Sequence, residues 1–250
     1  MGTSVSCQGE LVHSPGSKQS TEFRCQGFNV ICECPPETLP YDLSHSSYSW
    51  HVLRHSYTAR PLVRSMQCVF RIRSSVTTAL YNYFADKSYT NVTTPVITGN
   101  NCEGGSEVFA VNAREAGSDL FFDQPAFLTV SGQLHLEAVL NAFGKVFTIS
   151  TAFRAENNLS RRHVSEFTML EVEESFIDEL DVLMDRAEDL VRFISDHVIT
   201  HCAEDLNFLL QLPSDTQSYR VVEKMTHKKR FLRLDLSVLL IILFIIPSSG

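Results

Sequence analysis

The sequence predicts an α/β fold of the α+β type, an antiparallel sheet flanked by helices. Two long segments carry apolar residues at helical spacing, and two β-rich runs lying between them bracket a polar loop. The composition, 44% hydrophobic and 20% charged with 17 Phe, is that of a globular protein. Folding around an apolar core is therefore the expectation for the body of the 250-residue chain.

The first part of the chain predicts a small β unit. Residues 10–12 and 28–31 form short β-type runs, and the turn-forming residues 13–17 lie between them. This unit is too short to close a sheet of its own, because an isolated hairpin is only marginally stable in water. Residues 35–65 are irregular, with several prolines, serines and histidines, and predict a linker.

A helix followed by a strand is predicted next. From residue 66 to 84 apolar side chains recur at the spacing of one helical face, at Val69, Ile72, Val76, Leu80, Tyr83 and Phe84. Residues 89–94 are rich in β-branched side chains and predict a strand. Pro95 has no amide donor, so it is expected to end that strand.

The β-rich runs 146–153 and 167–172 predict an antiparallel hairpin whose long tip contains residues 157–163. Arg154 and Glu156, two residues apart, are then expected on one face of the first strand. A second amphipathic helix is predicted from 180 to 198. Its opposite face is interpreted as solvated because it carries acidic side chains, at Asp181, Asp185, Glu188 and Asp189.

Residues 213–250 are interpreted as a divergent tail. Their apolar segment, 236–246, has eleven residues, whereas a membrane-spanning helix needs about 20. A basic flank, 228–230, leaves an interfacial or tail anchor open as an alternative. A membrane partner is nevertheless not expected, because the apolar segment is short.

Charge and cysteine content narrow the classes of function. A net charge of −8 disfavours binding to phosphate backbones except through a local basic face, and DNA is not an expected partner. Seven scattered cysteines suit reduced intracellular thiols better than a disulfide framework. No metal site is predicted, since Cys32 and Cys34 lack the wider spacing of zinc ligands.

The hairpin combines side chains that suit a nucleotide site. Arg154 can pair with phosphate oxygens through two donors, and a second cation on the tip can follow the outer phosphates. Phe167 offers an aromatic face to a purine, and Glu156 can accept from an exocyclic amine. The alternative is a surface hairpin with Arg–Glu pairs, and the pattern alone does not decide between them.

Residues 153–156 (Phe-Arg-Ala-Glu), 162–163 (Arg-His) and 166–167 (Glu-Phe) resemble the second signature motif of class II aminoacyl-tRNA synthetases. Residues 94–97 (Thr-Pro-Val-Ile), which follow an amphipathic helix, resemble the first motif, whose proline lies at the dimer interface of the family. The resemblance therefore implies a homodimer with Pro95 at its interface.

Two further segments resemble the amino-acid pocket of the aspartate and asparagine enzymes, residues 103–109 and 127–137. In the second segment Leu136 stands where archaeal-type aspartate enzymes have a lysine. A substrate carboxylate needs a cation to offset its buried charge, whereas a carboxamide does not. Leu136 therefore favours asparagine, and aspartate remains the alternative.

The resemblance implies asparagine–tRNA ligase activity, with ATP as substrate and asparaginyl-adenylate as intermediate. It also implies a role for individual residues: phosphate and carboxylate binding by Arg154, adenine binding by Glu156 and Phe167, binding of the terminal phosphates by Arg162 and His163, and amino-acid binding by Glu103 and Gln133. Mg²⁺ is expected for the family, but its ligands are not recognised in this chain.

The same resemblance implies four regions: 1–34, the last strands of an OB-fold that binds the anticodon; 35–65, a linker; 66–212, a partial class II catalytic domain; and 213–250, the tail. The family's third motif is not recognised beyond residue 212. A truncated, inactive form that retains dimerisation or partial ATP binding is therefore an alternative. Asparagine and tRNA(Asn) are the expected partners, in the mitochondrial matrix or, alternatively, the cytoplasm.

Overall fold

A computed structural model of the protein describes residues 2–17, 19–35, 53, 55, 57–58, 60–100, 102, 107–112, 124–157 and 163–211. The chain divides into two compact units, Met1–Gln67 and Cys68–Gly250. The tail predicted at 213–250 and most of the predicted linker lie outside the described residues. Within the described ranges, none of the helices has the length and apolar character needed to cross a membrane.

The first unit contains the predicted β hairpin. Strands β1 (Ser4–His13) and β2 (Thr21–Cys32) pair antiparallel, with Leu11 opposite Phe23, and the turn is closed by the bond from Ser14 N to Ser20 O at 3.0 Å. Most side chains of both strands are exposed. The hairpin therefore has little core of its own within the described residues.

Helix α1 (Arg64–Asp86) follows a short 3-10 turn (Arg60–Leu62) and begins two residues before the predicted helix start at 66, so its first two residues fall within the predicted linker. Helix α1 otherwise follows the predicted helix at 66–84. Its buried face holds four of the six predicted residues, Val76, Leu80, Tyr83 and Phe84.

The second unit is organised around a three-stranded sheet of order β3-β6-β7. Strand β3 (Thr90–Asn91) pairs parallel to β6 (Lys145–Phe153), which pairs antiparallel to β7 (Glu166–Glu174). The hairpin prediction is confirmed. The strand predicted at 89–94 is shorter than expected. After Asn91 the chain makes one more bond to β6, from Val92 N to Phe147 O, and then leaves the sheet.

A second, two-stranded ladder lies between β3 and β6 in the chain. Strand β4 (Ile97–Thr98) pairs antiparallel with β5 (Phe127–Leu128), and helix α2 (Gln133–Phe143) follows. Gly144 ends this helix in the left-handed region, at φ 73°, where a side chain would be strained. Strand β6 therefore begins directly after this glycine.

Helices α1 and α3 (Leu180–His201) cover one face of the sheet. Phe147 is 2% exposed and stacks on Phe84 of α1, with 4.5 Å between the ring centroids. Phe193 of α3 packs on Tyr83 at 4.6 Å. Helix α2 packs against β6 and β7 on the opposite face. Gly132, which caps its N-terminus, donates to Glu171, and Glu171 alternates with Leu170 along β7.

Helix α3 spans the predicted helix at 180–198, and α4 (Ala203–Leu210) follows it. The interpretation of its acidic residues as one solvated face is wrong for Glu188, which is 9% exposed. Its carboxylate lies 2.6 Å from the guanidinium of Arg192, one turn further along the helix. This pairing offsets the cost of removing a carboxylate from water, which the sequence pattern did not reveal.

Candidate active site

The end of the β6–β7 hairpin brings two of the predicted site residues together. Ala152 pairs with Phe167, and Arg154 N donates to Ser165 O at 3.0 Å. Strand β6 ends at Phe153, so Arg154 and Glu156 lie just beyond the strand on which they were expected. The Arg154 side chain is nevertheless on the face of Ala152 and Phe167. Its guanidinium carbon lies 5.7 Å from the centroid of the Phe167 ring. A cation and an aromatic face are therefore adjacent, as a nucleotide site requires.

Phe167 is more enclosed than a free stacking platform would be. Its side chain is 4% exposed and clusters with Ala152 and Met169, and Val164 packs against the cluster. The Arg154 guanidinium covers the ring. A purine could stack on this ring only if the guanidinium moved aside.

Backbone hydrogen bonds from two other segments hold the hairpin end in place. Phe153 N donates to Thr129 O at 2.9 Å, and Thr129 N donates to Val96 O at 2.8 Å. Ala155 N donates to Glu107 O at 2.9 Å. The segments that resemble the amino-acid pocket and the first motif therefore lie directly beside Arg154.

The N-terminus of α2 is tied to β7 by Glu171. The carboxylate accepts from Ser131 Oγ and, at 2.8 Å, from Gly132 N, while Gln133 N donates to Ser131 Oγ at 3.0 Å. A carboxylate at a helix N-terminus satisfies unpaired amides and interacts favourably with the helix dipole. The segment that precedes α2 and the β6–β7 hairpin are thereby joined by one side chain.

Gly132 is needed for this close approach. A Cβ at this position would lie 2.9 Å from Thr94 Oγ1 and 3.2 Å from Glu171 Oε2. Sequence reasoning did not identify Ser131 or Glu171. The available signal was a glutamate on the Phe167–Met169 face of β7, where a half-buried carboxylate gains from hydrogen-bond donors.

The remaining described site residues lie at the surface or near it. Gln133 is the first residue of α2, and its exposed side chain donates to Glu137 Oε1 at 2.9 Å. His163 is exposed and Glu156 is half-buried.

Pro95 is exposed, whereas Leu136 is fully buried on α2. Glu103 and Arg162, predicted to bind the amino acid and the terminal phosphates, lie outside the described residues. The described part of the chain contains no group of three or more His, Cys, Asp or Glu side chains placed to hold a metal ion.

Carboxylates on β7 differ in their electrostatics. Burial raises the pKa of Glu173, and the nearby Glu137 and Glu171 raise it further. Burial also acts to raise the pKa of Glu174, but hydrogen bonds from Tyr89, Lys145 and Arg186 outweigh it and leave that pKa lowered. Glu174 is therefore an anchored anion at the base of the hairpin.

Two further contacts fix the hairpin to the surrounding elements. Tyr89 Oη donates to Glu174 Oε2 at 2.5 Å. The pKa of Tyr89 is raised mainly by burial and, to a smaller extent, by this hydrogen bond. On the face covered by α1, Arg73 Nη2 donates to Thr168 Oγ1 at 3.0 Å, next to Phe167 in the chain. Helix α1 thus contacts the strand that carries the aromatic ring.

Comparison with known proteins gives a consistent result. The family profile described as tRNA synthetases class II (D, K and N) matches residues 52–239. The asparaginyl-tRNA synthetase of Mus musculus is 39% identical over 88% of this chain and 46% of its own length. The asparagine–tRNA ligase of Oleidesulfovibrio alaskensis is 37% identical over 90% of this chain and 51% of its own.

Solved structures show the same fold. The asparaginyl-tRNA synthetase of Pyrococcus horikoshii, solved with asparaginyl-adenylate, superposes with a TM-score of 0.73 at 22% identity, over 88% of this chain and 48% of that one. The Entamoeba histolytica asparaginyl-tRNA synthetase gives 0.67 at 26% identity, over 85% and 48%. This chain spans about half the length of the relatives it matches. It belongs to the class II tRNA synthetases of the D, K and N group.

Proposed function

We propose that this protein joins asparagine to tRNA(Asn) in an ATP-dependent reaction through asparaginyl-adenylate. The observation that carries the proposal is the placement of Arg154 over Phe167, beside the segment that continues into α2. Relatives named asparagine–tRNA ligases, which match most of this chain at 37–39% identity, support it.

In the proposed nucleotide site, Arg154 has two positions. Without ATP its guanidinium covers the Phe167 ring at 5.7 Å. When ATP binds, the guanidinium turns to the α-phosphate, with which it can form two charge-assisted hydrogen bonds. The vacated ring face then receives the adenine. Glu156 accepts from the adenine amine, and Arg162 and His163 bind the terminal phosphates.

Asparagine is the proposed amino acid because Leu136, which is fully buried, offers no charge to a substrate carboxylate. Glu103 and Gln133 are proposed to hold the amino group and the side chain. Glu171 fixes Ser131 and Gly132 immediately before Gln133, and so sets the distance between the pocket segment and β7.

The proposed chemistry is an in-line displacement. A carboxylate oxygen of asparagine attacks the α-phosphorus of ATP, the bond to the β-phosphate breaks, and pyrophosphate leaves. A hydroxyl of the terminal ribose of the tRNA then attacks the activated carbonyl, and AMP leaves. Arg154 stabilises the charge that develops on the α-phosphate, so positioning and electrostatics supply the rate rather than a general base.

Several further features belong to the proposal by resemblance. The β1–β2 hairpin is proposed as the last strands of an OB-fold that binds the anticodon, because apolar side chains such as Leu11 and Phe23 face each other on one surface. A homodimer with Pro95 at its interface, Mg²⁺ accompanying ATP, and a mitochondrial location are also proposed. No metal ligand is assigned among the described residues.

Asparagine-dependent exchange of pyrophosphate into ATP tests the function. The parent chain is expected to catalyse exchange with asparagine and not with aspartate. Arg154→Ala should lower the exchange rate by roughly 10²–10³-fold, the usual cost of removing a donor that stabilises developing charge. Arg24→Ala, an exposed arginine on β2, is the matched control and should leave the rate unchanged.

Each alternative gives a distinct result in this assay. Exchange with aspartate instead of asparagine would identify the aspartate–tRNA ligase. Unchanged exchange in Arg154→Ala would refute the assignment of the nucleotide site. No exchange with either amino acid would reject catalysis by this chain and favour the inactive form that dimerises or binds ATP only.

A further inference from the structure

Two histidines lie side by side near the C-terminal end of α3 and are not among the residues of the candidate active site. His197 and His201 are four residues apart in the helix, so their side chains share one face. Their ring centroids are 4.7 Å apart. Two imidazoles bound to one Zn²⁺ at about 2.0–2.1 Å and at a roughly tetrahedral angle have ring centres about 5 Å apart. The observed spacing therefore suits a chelate made by two histidines.

The His197 ring is held in place by contacts within α3 and with α1. Ser75 Oγ of α1 lies 2.8 Å from His197 Nε2. Phe193, one turn earlier on α3, stacks on the same ring with 6.2 Å between the centroids, and it packs in turn on Tyr83 of α1. A metal-bound histidine usually donates its other ring N–H to an oxygen, which fixes the tautomer. With Nε2–H donating to Ser75, the lone pair of Nδ1 is left for a metal ion.

The electrostatic surroundings favour a cation at this pair. Burial lowers the pKa of His197, and the neighbouring His201 lowers it further. The His197 ring is therefore neutral at neutral pH, and the neutral ring is the form that binds metals. His201 is exposed, so an ion can reach the pair from solvent. It is also the last residue of α3, where the helix dipole attracts positive charge.

We propose that His197 and His201 bind a divalent transition-metal ion, specifically Zn²⁺, and that Ser75 orients His197 for this ion. Imidazole nitrogens suit Zn²⁺, whereas Mg²⁺ prefers oxygen ligands. The site is therefore separate from the Mg²⁺ proposed to accompany ATP, for which no ligand is assigned. The proposal does not depend on the proposed ligase function.

Two protein ligands make a weak site. The other two positions of a tetrahedral Zn²⁺ are left to water. About half of the binding free energy of a site with four protein ligands corresponds to a Kd of roughly 1–200 µM. The bound ion joins two turns of α3 and, through Ser75, holds the end of this helix on α1. Zn²⁺ therefore stabilises the pairing of the two helices in proportion to its occupancy.

Titration calorimetry with Zn²⁺ tests the site in the whole, untagged chain. Accessible thiols are first blocked with N-ethylmaleimide, because exposed cysteines also bind Zn²⁺. We expect one site, which millimolar Mg²⁺ does not compete for. His197→Ala and His201→Ala should each weaken binding by roughly 50-fold or more, because each removes one of two ligands. His13→Ala, which removes an exposed histidine of β1, is the matched control and should leave the affinity unchanged.

Variants of Ser75 separate orientation of the ring from a general structural role. Ser75→Ala should weaken Zn²⁺ binding by roughly tenfold, a usual effect of losing the hydrogen bond that orients a ligating histidine. Ser75→Thr keeps the hydroxyl and should retain the parent affinity. Both variants should show the helix content of the parent by circular dichroism. An unchanged affinity in Ser75→Ala would overturn the role of Ser75.

Chemical modification of the parent chain gives a second measurement that needs no substitution. Diethyl pyrocarbonate reacts with neutral imidazoles, and mass spectrometry locates the products. At a Zn²⁺ concentration ten times the Kd, modification of His197 and His201 should slow by roughly tenfold, whereas that of His13 should not. Equal protection of all three histidines, an unchanged affinity in His201→Ala, or no Zn²⁺ binding below about 1 mM would each overturn the proposal.

Discussion

Two antiparallel hairpins in this protein have different surroundings. In β1–β2 large apolar side chains are exposed, among them Leu11 at 77% and Phe28 at 65%. In β6–β7 the apolar side chains are covered: Val146 and Ala152 are fully buried, and Phe147 is 2% exposed. Alternating apolar residues therefore specify a hairpin in both places, but only elements distant in the chain decide whether it acquires a core.

The difference extends to polar groups. At the base of β6–β7, Glu174 accepts a partly buried hydrogen bond from Tyr89, which lies just before β3. In β1–β2 the cross-strand polar bond of Gln26 to Glu10 is exposed. Exposed polar pairs contribute little, because water competes for them. The hairpin that leads to Arg154 and carries Phe167 is thus the one tied to neighbouring elements by a partly buried polar contact.

The largest expected difference is in the response to loss of an aromatic ring. Phe147→Ala removes a buried ring stacked on Phe84 and should lower the free energy of unfolding by about 3–5 kcal/mol. Phe28→Ala, on exposed β2, should change it by about 0.5 kcal/mol or less. Urea denaturation followed by circular dichroism measures both. Equal losses would mean that β1–β2 is covered as completely as β6–β7.

A smaller difference is expected between two glycines. Gly132→Ala forces Cβ against Thr94 and Glu171 and should cost about 1–3 kcal/mol. Gly27→Ala on β2 meets nothing within 4 Å and should be close to neutral. Thermal denaturation of the two variants checks this. A Gly132→Ala protein as stable as the parent would show that Glu171 and the start of α2 can separate without cost.

The smallest expected effect depends on pH. The folded-state pKa of Glu174 is lowered, so its contribution to stability is present above the unfolded pKa and is lost as the pH falls through the folded pKa. Tyr89→Phe removes one of the bonds that lower this pKa and should cost about 1 kcal/mol at neutral pH. The loss should shrink under acid conditions, where Glu174 is protonated. Urea midpoints measured from neutral pH to below pH ~4 test this; a pH-independent loss would contradict the assignment.

Sequence patterns alone predicted the elements in which apolar residues recur regularly over many positions. The face of α1 with Val76, Leu80 and Phe84 and the pairing of β6 with β7 followed from spacing alone. They were not sufficient for β3, whose β-branched residues extend to 94 while the ladder stops after Asn91. How far a strand continues depends on the partner strand, which residue type does not encode.

The candidate site was likewise predictable only where local spacing determines which residues lie together. Arg154 and Phe167 share a face because strand alternation places them there, and this needs only the hairpin register. The bonds of Glu171 to Ser131 and Gly132 join residues about forty positions apart and have no local signature. Glu188 was misjudged for a related reason, since the exposure of an acidic residue depends on which side of α3 is covered.

In the proposed amino-acid pocket, the full burial of Leu136 constrains how substrate preference could have diverged. A lysine introduced there would have to lose its hydration before any substrate was bound, and a buried unpaired ammonium is strongly unfavourable. The change from leucine to lysine is therefore path-dependent: it becomes tolerable only after another substitution has provided a counter-charge or a water-filled space. On this account, the order in which mutations arise, and not only their identity, separates an asparagine pocket from an aspartate pocket.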